Sequence, residues 1–154
     1  MRFTVFNAIF GGFSQSRLFK VVREENSLCY YVSSSYDAFN GIMIVNAGIE
    51  AKDYHKTMDL IQQELKAIQD GQIEKRDIDV AKMMLENSLR KTSDEAGSMI
   101  ALTYNRDITH KVESNDEYIE KLLNVSQEDI IKVAKQVRLD TIFFLTGKDF
   151  DENN

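Results

Sequence analysis

The sequence predicts an α+β domain in which an antiparallel sheet packs against several helices. Two apolar, β-branched stretches over 28–36 and 42–49 flank the dipeptide Asn40-Gly41, a pattern typical of a β-hairpin. Elsewhere, apolar residues recur at intervals of three and four, which indicates amphipathic helices. A length of 154 residues is that of one domain, so we expect a single domain over 1–154.

A short helix is predicted to open the chain, because Phe3, Phe6 and Phe10 follow a helical period. Gly11-Gly12 is expected to end it, since glycine tolerates the left-handed conformation of a helix cap. A second helix, capped by a serine, is predicted to run to about Glu24. Its basic residues recur at every third position: Arg17, Lys20 and Arg23.

The hairpin is predicted to comprise strands Leu28–Tyr36 and Ile42–Ile49. Strict alternation would place Leu28, Tyr30, Val32 and Ser34 on one face of the first strand. It would place Cys29, Tyr31, Ser33 and Ser35 on the other. The second strand begins with apolar residues on both faces, so we expect it to be covered on both sides or to lie inside a sheet.

The rest of the chain is predicted to be mostly helical. The expected helices are Lys52–Asp70 (ended by Gly71), Glu74–Lys91, Asp94–Thr109, Asp116–Leu123 and a last one from a capping box at Ser126 to about Val137. A final strand is predicted at Ile142–Leu145. Since an average sheet has about five or six strands, we expect the domain to be truncated at its N-terminus. An open sheet edge would then favour self-association into a homo-oligomer.

Composition excludes several classes of function. A net charge of −6 and a pI near 5.0 argue against nucleic-acid binding and against binding to acidic membranes. No apolar run reaches the roughly 20 residues that a membrane-spanning helix needs, and the N-terminus does not resemble a signal peptide. A single cysteine, Cys29, cannot form an internal disulfide. These features predict a cytoplasmic protein.

The sequence predicts no metal site in this chain. His55 and His110 are its two histidines, and neither belongs to an H-x-x-E-H motif or has a second ligand at metal-binding spacing. We therefore interpret both as solvated surface residues. Cys29 has no visible base or activating group, so we expect a half-buried strand cysteine rather than a nucleophile.

Arg23 and Tyr30 are the candidate functional residues. Arginine is a permanent cation with a forked set of donors, and a tyrosine hydroxyl can donate to an oxyanion. Held together, they could bind a peptide carbonyl and stabilise a tetrahedral intermediate. On the residues alone, an ordinary role is favoured, in which Arg23 pairs with Glu24, Glu25 or another neighbour and Tyr30 packs in the domain.

Four motifs in the first part of the chain carry a family resemblance: Gly11-Gly12, Ser16-Arg17-Leu18-Phe19, Val22-Arg23-Glu24 and Leu28-Cys29-Tyr30-Tyr31. In this order they resemble the C-terminal domain of the pitrilysin/insulinase peptidases, the inverzincins. The spacing of seven from Arg23 to Tyr30 matches that family, and the later elements fit the rest of its domain. The pattern looks most like a bacterial processing-peptidase-like protein. Cys29 departs from it, because family members often have glycine or alanine there.

The resemblance implies one half of a clamshell-type metallopeptidase made of two homologous α+β domains. One half carries zinc on an H-x-x-E-H motif, and the other contributes an arginine and a tyrosine that hold the scissile peptide carbonyl. The latter roles fall on Arg23 and Tyr30. This chain has no zinc motif, so zinc is expected only in the parent assembly, no catalytic residue is expected here, and whether the parent is an enzyme stays open.

The resemblance also implies partners. The expected ones are an N-terminal peptidase domain or a homologous partner subunit, and a peptide substrate. A second interpretation is a non-catalytic partner subunit or assembly module, whose open sheet edge binds a partner strand. An H-x-x-E-H motif in the preceding domain or in a partner would favour the first interpretation, and its absence from both would favour the second.

Overall fold

A computed structural model of the chain describes residues 1–94 and 114–147. Helix α1 (Arg2–Asn7) continues into a π-helical segment, π1 (Ala8–Gly12), and a second π-helical segment, π2 (Phe19–Glu25), follows. The other elements are β1 (Cys29–Asp37), β2 (Ile42–Ile49), a 3₁₀ turn (Ala51–Asp53), α2 (Tyr54–Gln69), α3 (Lys75–Asp94), α4 (Asn115–Leu123) and α5 (Gln127–Ala134). The predicted α+β class is therefore confirmed.

The hairpin forms where it was predicted. Asn40 and Gly41 complete its turn, Gly41 has a φ of 67°, and its N–H donates to the Asp37 carbonyl at 2.9 Å. Asp37 Oδ1 accepts two further bonds, from the Phe39 and Asn40 N–H groups at 2.8 and 3.2 Å. An aspartate that binds the backbone two and three residues on is typical of a tight turn, so this closure is specified locally.

The inner face of the hairpin packs on α1 and π1. Val32 and Ser34 of β1 are buried, and the Ser34 hydroxyl donates to Asn7 Oδ1 at 2.8 Å. The core beneath the sheet consists mainly of residues from α1, π1 and π2, among them Phe6, Phe10, Leu18 and Val22, each no more than 2% exposed. Helix α5 packs against α1 and α2, and α3 packs against α4.

Gly11 has a different role from the one predicted. The first helix does end at Gly12, but Gly11 and Gly12 belong to π1 and neither has a positive φ. A Cβ at position 11 would lie 2.6 Å from Ser34 Oγ and 2.9 Å from the Ser34 backbone nitrogen. The expected left-handed cap is therefore wrong, and Gly11 instead allows π1 to approach β1 closely.

Later helices begin and end close to the predicted residues, although α5 ends at Ala134 and not at about Val137. Gly71, with a φ of 83°, ends α2, and a capping box of Ser126 and Asp129 opens α5. Helix α3 runs three residues further than predicted, to Asp94. Apart from that residue, the helix predicted over 94–109 lies outside the described residues.

The predicted strand at Ile142–Leu145 is wrong. Within the described residues the sheet consists of β1 and β2, and no strand forms at 142–145 because neither edge of the hairpin pairs with that segment. Phe143 and Leu145 are exposed, whereas the Phe144 ring lies 4.4 Å from that of Tyr54. The segment therefore touches the start of α2 instead of extending the sheet.

The prediction that the second strand is covered on both faces is also wrong. Ile42 and Ile44 pair with Asp37 and Ser35, and their side chains are 54% and 51% exposed. The apolar run at the start of β2 arises because half-buried inner residues, Met43 and Val45, alternate with isoleucines on a face that no described residue covers. We call this second surface, which carries Tyr31, Ser33, Ser35, Ile42, Ile44, Asn46 and Gly48, the outer face.

Candidate functional site

Tyr30 points away from the core because of a β-bulge. Cys29 pairs with Ile49 and Tyr31 pairs with Gly48, so β1 advances two residues while β2 advances one. Tyr30 is the extra residue, and its side chain is 86% exposed. Its predicted place on the face of Leu28 and Val32 is therefore wrong, because the bulge reverses the alternation at this position.

The same bulge turns Cys29 towards the interior. Cys29 is half-buried and packs at the margin of the core, opposite Ile49. Burial raises the pKa of the Cys29 thiol, and the nearby positive charge of Arg23 offsets part of that rise. A thiol with a raised pKa is a poor nucleophile, which agrees with the interpretation of Cys29 as a structural residue.

Arg23 lies in the last turn of π2 with its side chain exposed. Its guanidinium carbon lies 4.6 Å from the centre of the Phe19 ring, a cation–π contact that leaves the edge of the guanidinium able to donate. No residue in 1–94 or 114–147 forms an ion pair with Arg23. The predicted pairing with Glu24 or Glu25 is absent from the structure.

Arg17, at the start of the same basic stripe, is used structurally. Its Nε donates to Glu64 Oε2 at 2.6 Å, and its Nη1 donates to the Gln72 carbonyl at 2.5 Å. The Arg17 and Glu64 side chains are 21% and 14% exposed, so the pair fastens the second helical segment to α2. Arg23 and Lys20 are the exposed cations of the stripe.

A sharp change of chain direction connects Arg23 to the bulge. Ser27 has a φ of 53°, its N–H donates to the Arg23 carbonyl at 3.1 Å, and the Leu28 N–H donates to the Val22 carbonyl at 3.0 Å. The segment π2 also packs against β1. Arg23 and Tyr30 therefore belong to adjoining ends of two packed elements.

The Tyr30 hydroxyl has no hydrogen-bond partner among the described residues, and neither has the Arg23 guanidinium. A phenol and a guanidinium that are both exposed and both unpartnered can donate to a ligand without first losing a bond within the protein. A peptide carbonyl, which accepts two hydrogen bonds, suits this arrangement. The two side chains could also donate to another uncharged or anionic acceptor.

The described residues do not fit a zinc ion. In 1–94 and 114–147, no three histidine, cysteine, aspartate or glutamate side chains converge as metal ligands would. His55 is exposed, and its ring lies 5.1 Å from that of Tyr54. His110 lies outside the described residues. Any zinc in the parent protein would therefore need ligands other than the described residues of this chain.

Sequence reasoning missed the bulge, although one signal was available. Gly48 lies inside the second strand, and an isolated strand glycine often marks a bulge or a close approach of two chains. This glycine indicates that side chains of the hairpin need not alternate strictly between its two faces. The direction in which Tyr30 points would then have been an open question.

The sequence pattern of the family described as Peptidase M16 inactive domain matches residues 1–85, more than half of the chain. The chain belongs to this family. The match includes π2, the hairpin and both candidate residues. It agrees with the resemblance to the C-terminal domain of the pitrilysin/insulinase peptidases.

Relatives of this M16 domain carry peptidase names. The chain is 34% identical over 145 residues to "Probable inactive metalloprotease YmfF" of Bacillus subtilis, covering 94% of the chain and 34% of that protein. It is 26% identical over 136 residues to "Uncharacterized zinc protease YmxG" of the same organism, covering 86% of the chain and 33% of that protein. It thus spans about a third of the length of the curated relatives that it matches.

The fold is also similar to that of a solved structure. A conserved protein from Enterococcus faecalis V583 superimposes with a TM-score of 0.82 at 38% identity, covering 88% of the chain and 32% of that protein. M16 membership therefore rests on the sequence match, and the fold is shared with a solved structure. None of the helices in the described ranges is both long and apolar enough to cross a bilayer.

Proposed function

We propose that this chain is the substrate-holding domain of a peptidase-like protein of the M16 family, and that Arg23 and Tyr30 hold a peptide carbonyl of the substrate. The observation that carries the proposal is the bulge, which turns Tyr30 out to 86% exposure with its hydroxyl unpartnered among the described residues. A tyrosine that only stabilised the domain would be expected to bury its ring or to bond its hydroxyl.

Each of the two side chains would donate one hydrogen bond to the peptide carbonyl. The Tyr30 hydroxyl would donate one hydrogen bond to the carbonyl oxygen, and the Arg23 guanidinium would donate a second, charge-assisted bond. If the carbonyl gains negative charge during cleavage, both bonds strengthen, and this lowers the barrier. The cation–π contact with Phe19 limits where the guanidinium can move, so less side-chain entropy is lost on binding.

The peptide would run along the outer face. That surface presents hydroxyl groups, an amide and apolar side chains, and a charged residue, Asp37, adjoins it only where Ile42 meets the turn. Such a surface favours extended, uncharged segments of an unfolded peptide over folded or highly charged partners. Zinc and its ligands would come from an N-terminal peptidase domain or a homologous partner subunit, because the described residues of this chain do not fit the metal.

A second candidate function is a non-catalytic partner or assembly module. It is favoured by the relative that is 34% identical and is named a probable inactive metalloprotease. In this function Arg23 and Tyr30 would still bind a peptide carbonyl, but of a partner chain or of a peptide that is held and not cut. Exposed Ile42 and Ile44 would then contribute to a stable contact.

The test uses the parent protein together with any partner subunit, and unfolded peptides as substrates. Arg23→Ala and Tyr30→Phe are each expected to lower kcat/KM by about 10²–10³-fold, the usual effect of removing one donor to a developing oxyanion. If the wild-type assembly does not cleave, the readout becomes the Kd of a fluorescently labelled peptide. Each variant is then expected to weaken binding by about tenfold or more.

Two variants serve as matched controls. Lys20→Ala removes an exposed cation one turn before Arg23, and Tyr118→Phe removes a hydroxyl from α4. Both are expected to leave cleavage and binding within about twofold, as surface changes usually do. The proposal is refuted if Arg23→Ala and Tyr30→Phe match these controls in both assays. Binding that responds to the variants without any cleavage would instead favour the assembly module.

A further inference from the structure

The chemistry of the outer face changes along the hairpin. From the end near Tyr30 to the turn, the cross-strand pairs are Tyr31–Gly48, Ser33–Asn46, Ser35–Ile44 and Asp37–Ile42. An aromatic ring therefore comes first, a polar stretch follows, and two isoleucines lie nearest the turn. A ligand that lies along this face would meet these three chemistries in a fixed order.

Ile42 and Ile44 form the exposed apolar end of the outer face. Their side chains are 54% and 51% exposed, whereas Met43 and Val45, which alternate with them, pack on the core. Residues two apart on a strand point to the same side and lie about 7 Å apart. Alternate side chains of an extended peptide have the same spacing, so two of them could pack on the two isoleucines at once.

This apolar end is too small to hold a folded subunit by itself. A stable protein–protein interface buries about 800 Å² on each partner. Two half-exposed side chains supply only a small part of that area, and the residues opposite them on β1 are Ser35 and Asp37. A pair of apolar side chains on one strand instead suits a narrow ligand, such as an extended peptide.

The strand register sets how far the isoleucines lie from the proposed carbonyl site. Ile44 lies opposite Ser35, which is four residues after Tyr31, the neighbour of Tyr30. An extended peptide advances by nearly the same distance per residue as a strand, about 3.4 Å. The peptide side chain that reaches Ile44 is therefore about four residues from the one beside Tyr31, and the side chain that reaches Ile42 is about six residues from it.

We propose that Ile42 and Ile44 are specificity-determining residues, which select peptides with apolar side chains at two alternate positions, about four and six residues from the residue whose carbonyl is held. The distances rest on the proposed function, in which Arg23 and Tyr30 hold that carbonyl. The packing of apolar side chains on the isoleucines depends only on the outer face. A serine at either position of the peptide would leave an isoleucine in contact with water, so the selection is hydrophobic.

The test uses the parent protein together with any partner subunit, and two unfolded peptides that differ only at two alternate positions, which carry valine in one peptide and serine in the other. The wild type is expected to cleave or bind the valine peptide about tenfold better, because the valines and the isoleucines remove apolar surface from water. When the valine pair is moved along the peptide, the cleaved bond, located by mass spectrometry, is expected to move with it.

Variants of the two isoleucines test whether they cause the preference. Ile42→Thr combined with Ile44→Thr weakens the apolar contact and keeps the branched side chains that suit a strand, so the preference is expected to fall below about twofold. Ile42→Val combined with Ile44→Val is expected to retain the preference. Met83→Ala removes an apolar side chain of α3 that is 52% exposed, and it is expected to leave the preference unchanged.

The proposal is overturned if the wild type treats the two peptides equally or binds neither, or if the preference survives the paired threonine substitutions. It is also wrong if the threonine variant separates the parent protein from its partner subunit in gel filtration while the preference is unchanged, because the isoleucines would then bind that subunit.

Tyr30→Phe separates this proposal from the proposed function. It is expected to weaken cleavage or binding of both peptides by the same factor and to leave their ratio unchanged. A preference that the threonine variant abolishes, together with no effect of Tyr30→Phe, would keep the selection by the isoleucines and refute the role of Tyr30. An effect of Tyr30→Phe without any preference between the peptides would do the reverse.

Discussion

Replacing Gly11 with alanine is expected to destabilise the domain strongly for a one-methyl change. The added Cβ would meet three Ser34 atoms: Oγ at 2.6 Å, Cβ at 2.9 Å and the backbone nitrogen at 2.9 Å. Rotation of the Ser34 side chain could relieve the first contact. It could not relieve the others, so π1 and β1 must separate.

Three energy terms determine how much Gly11→Ala lowers the free energy of unfolding. Overpacking of this kind costs about 1–3 kcal/mol. Separation would also stretch the 2.8 Å bond from the Ser34 hydroxyl to Asn7 Oδ1 in a place where Ser34 is 5% exposed, which costs about another 1–3 kcal/mol. Alanine regains up to about 1 kcal/mol over glycine in a helical conformation. The net expectation is a loss of about 1–5 kcal/mol in the free energy of unfolding.

Urea unfolding, followed by far-UV circular dichroism, measures this loss as a lower midpoint at an unchanged slope. Gly147→Ala is the matched control, because its methyl group would meet nothing within 4 Å, and it is expected to change stability by less than about 0.5 kcal/mol. If Gly11→Ala behaved like Gly147→Ala, the close approach of π1 to β1 would not be the reason for glycine at position 11.

Two other predictions concern single polar side chains. Hydrogen bonds from the Asn40 side chain, and then from the Asn40 and Phe39 backbone, hold the pKa of Asp37 below its usual value. Their stabilising contribution is therefore present above about pH 4 and is lost as the pH falls through the lowered pKa. Asn40→Ala is expected to raise that pKa towards the usual value in an NMR titration, and an unchanged pKa would contradict this. Thr57 is 2% exposed, and its hydroxyl has no hydrogen-bond partner among the described residues. Because a buried hydroxyl without a partner is destabilising, Thr57→Val is expected to stabilise the domain by about 1 kcal/mol. A lower thermal midpoint for the variant would show that the hydroxyl has a partner.

Elements with local signals could be predicted from the sequence. The hairpin turn depends on Asn40-Gly41 and on the Asp37 side chain, all within five residues. The end of α2 depends on the positive φ of Gly71, and the start of α5 depends on the Ser126 capping box. Each signal acts over a few residues, so no knowledge of tertiary packing was needed.

Features that depend on distant residues could not be predicted. The reason for Gly11 lies in Ser34, which is 23 positions later, and the direction of Tyr30 depends on the register in which β1 pairs with β2. The strand predicted at Ile142–Leu145 had suitable residues, but a strand also needs a hydrogen-bonding neighbour. Side-chain alternation and composition carry no information about such partners.

The candidate site lies where backbone irregularities are concentrated. Between Phe19 and Tyr31 the chain passes through a π-helical segment, a non-glycine residue with positive φ, and a β-bulge. A left-handed serine costs of the order of 1 kcal/mol, and π-segments and bulges both occur preferentially at functional sites. A helix-to-strand connection does not require any of the three. They lie at the adjoining ends of π2 and β1, which carry an exposed guanidinium and an exposed phenol without hydrogen-bond partners among the described residues, and this concentration is the reason why we propose Arg23 and Tyr30 as ligand-binding residues.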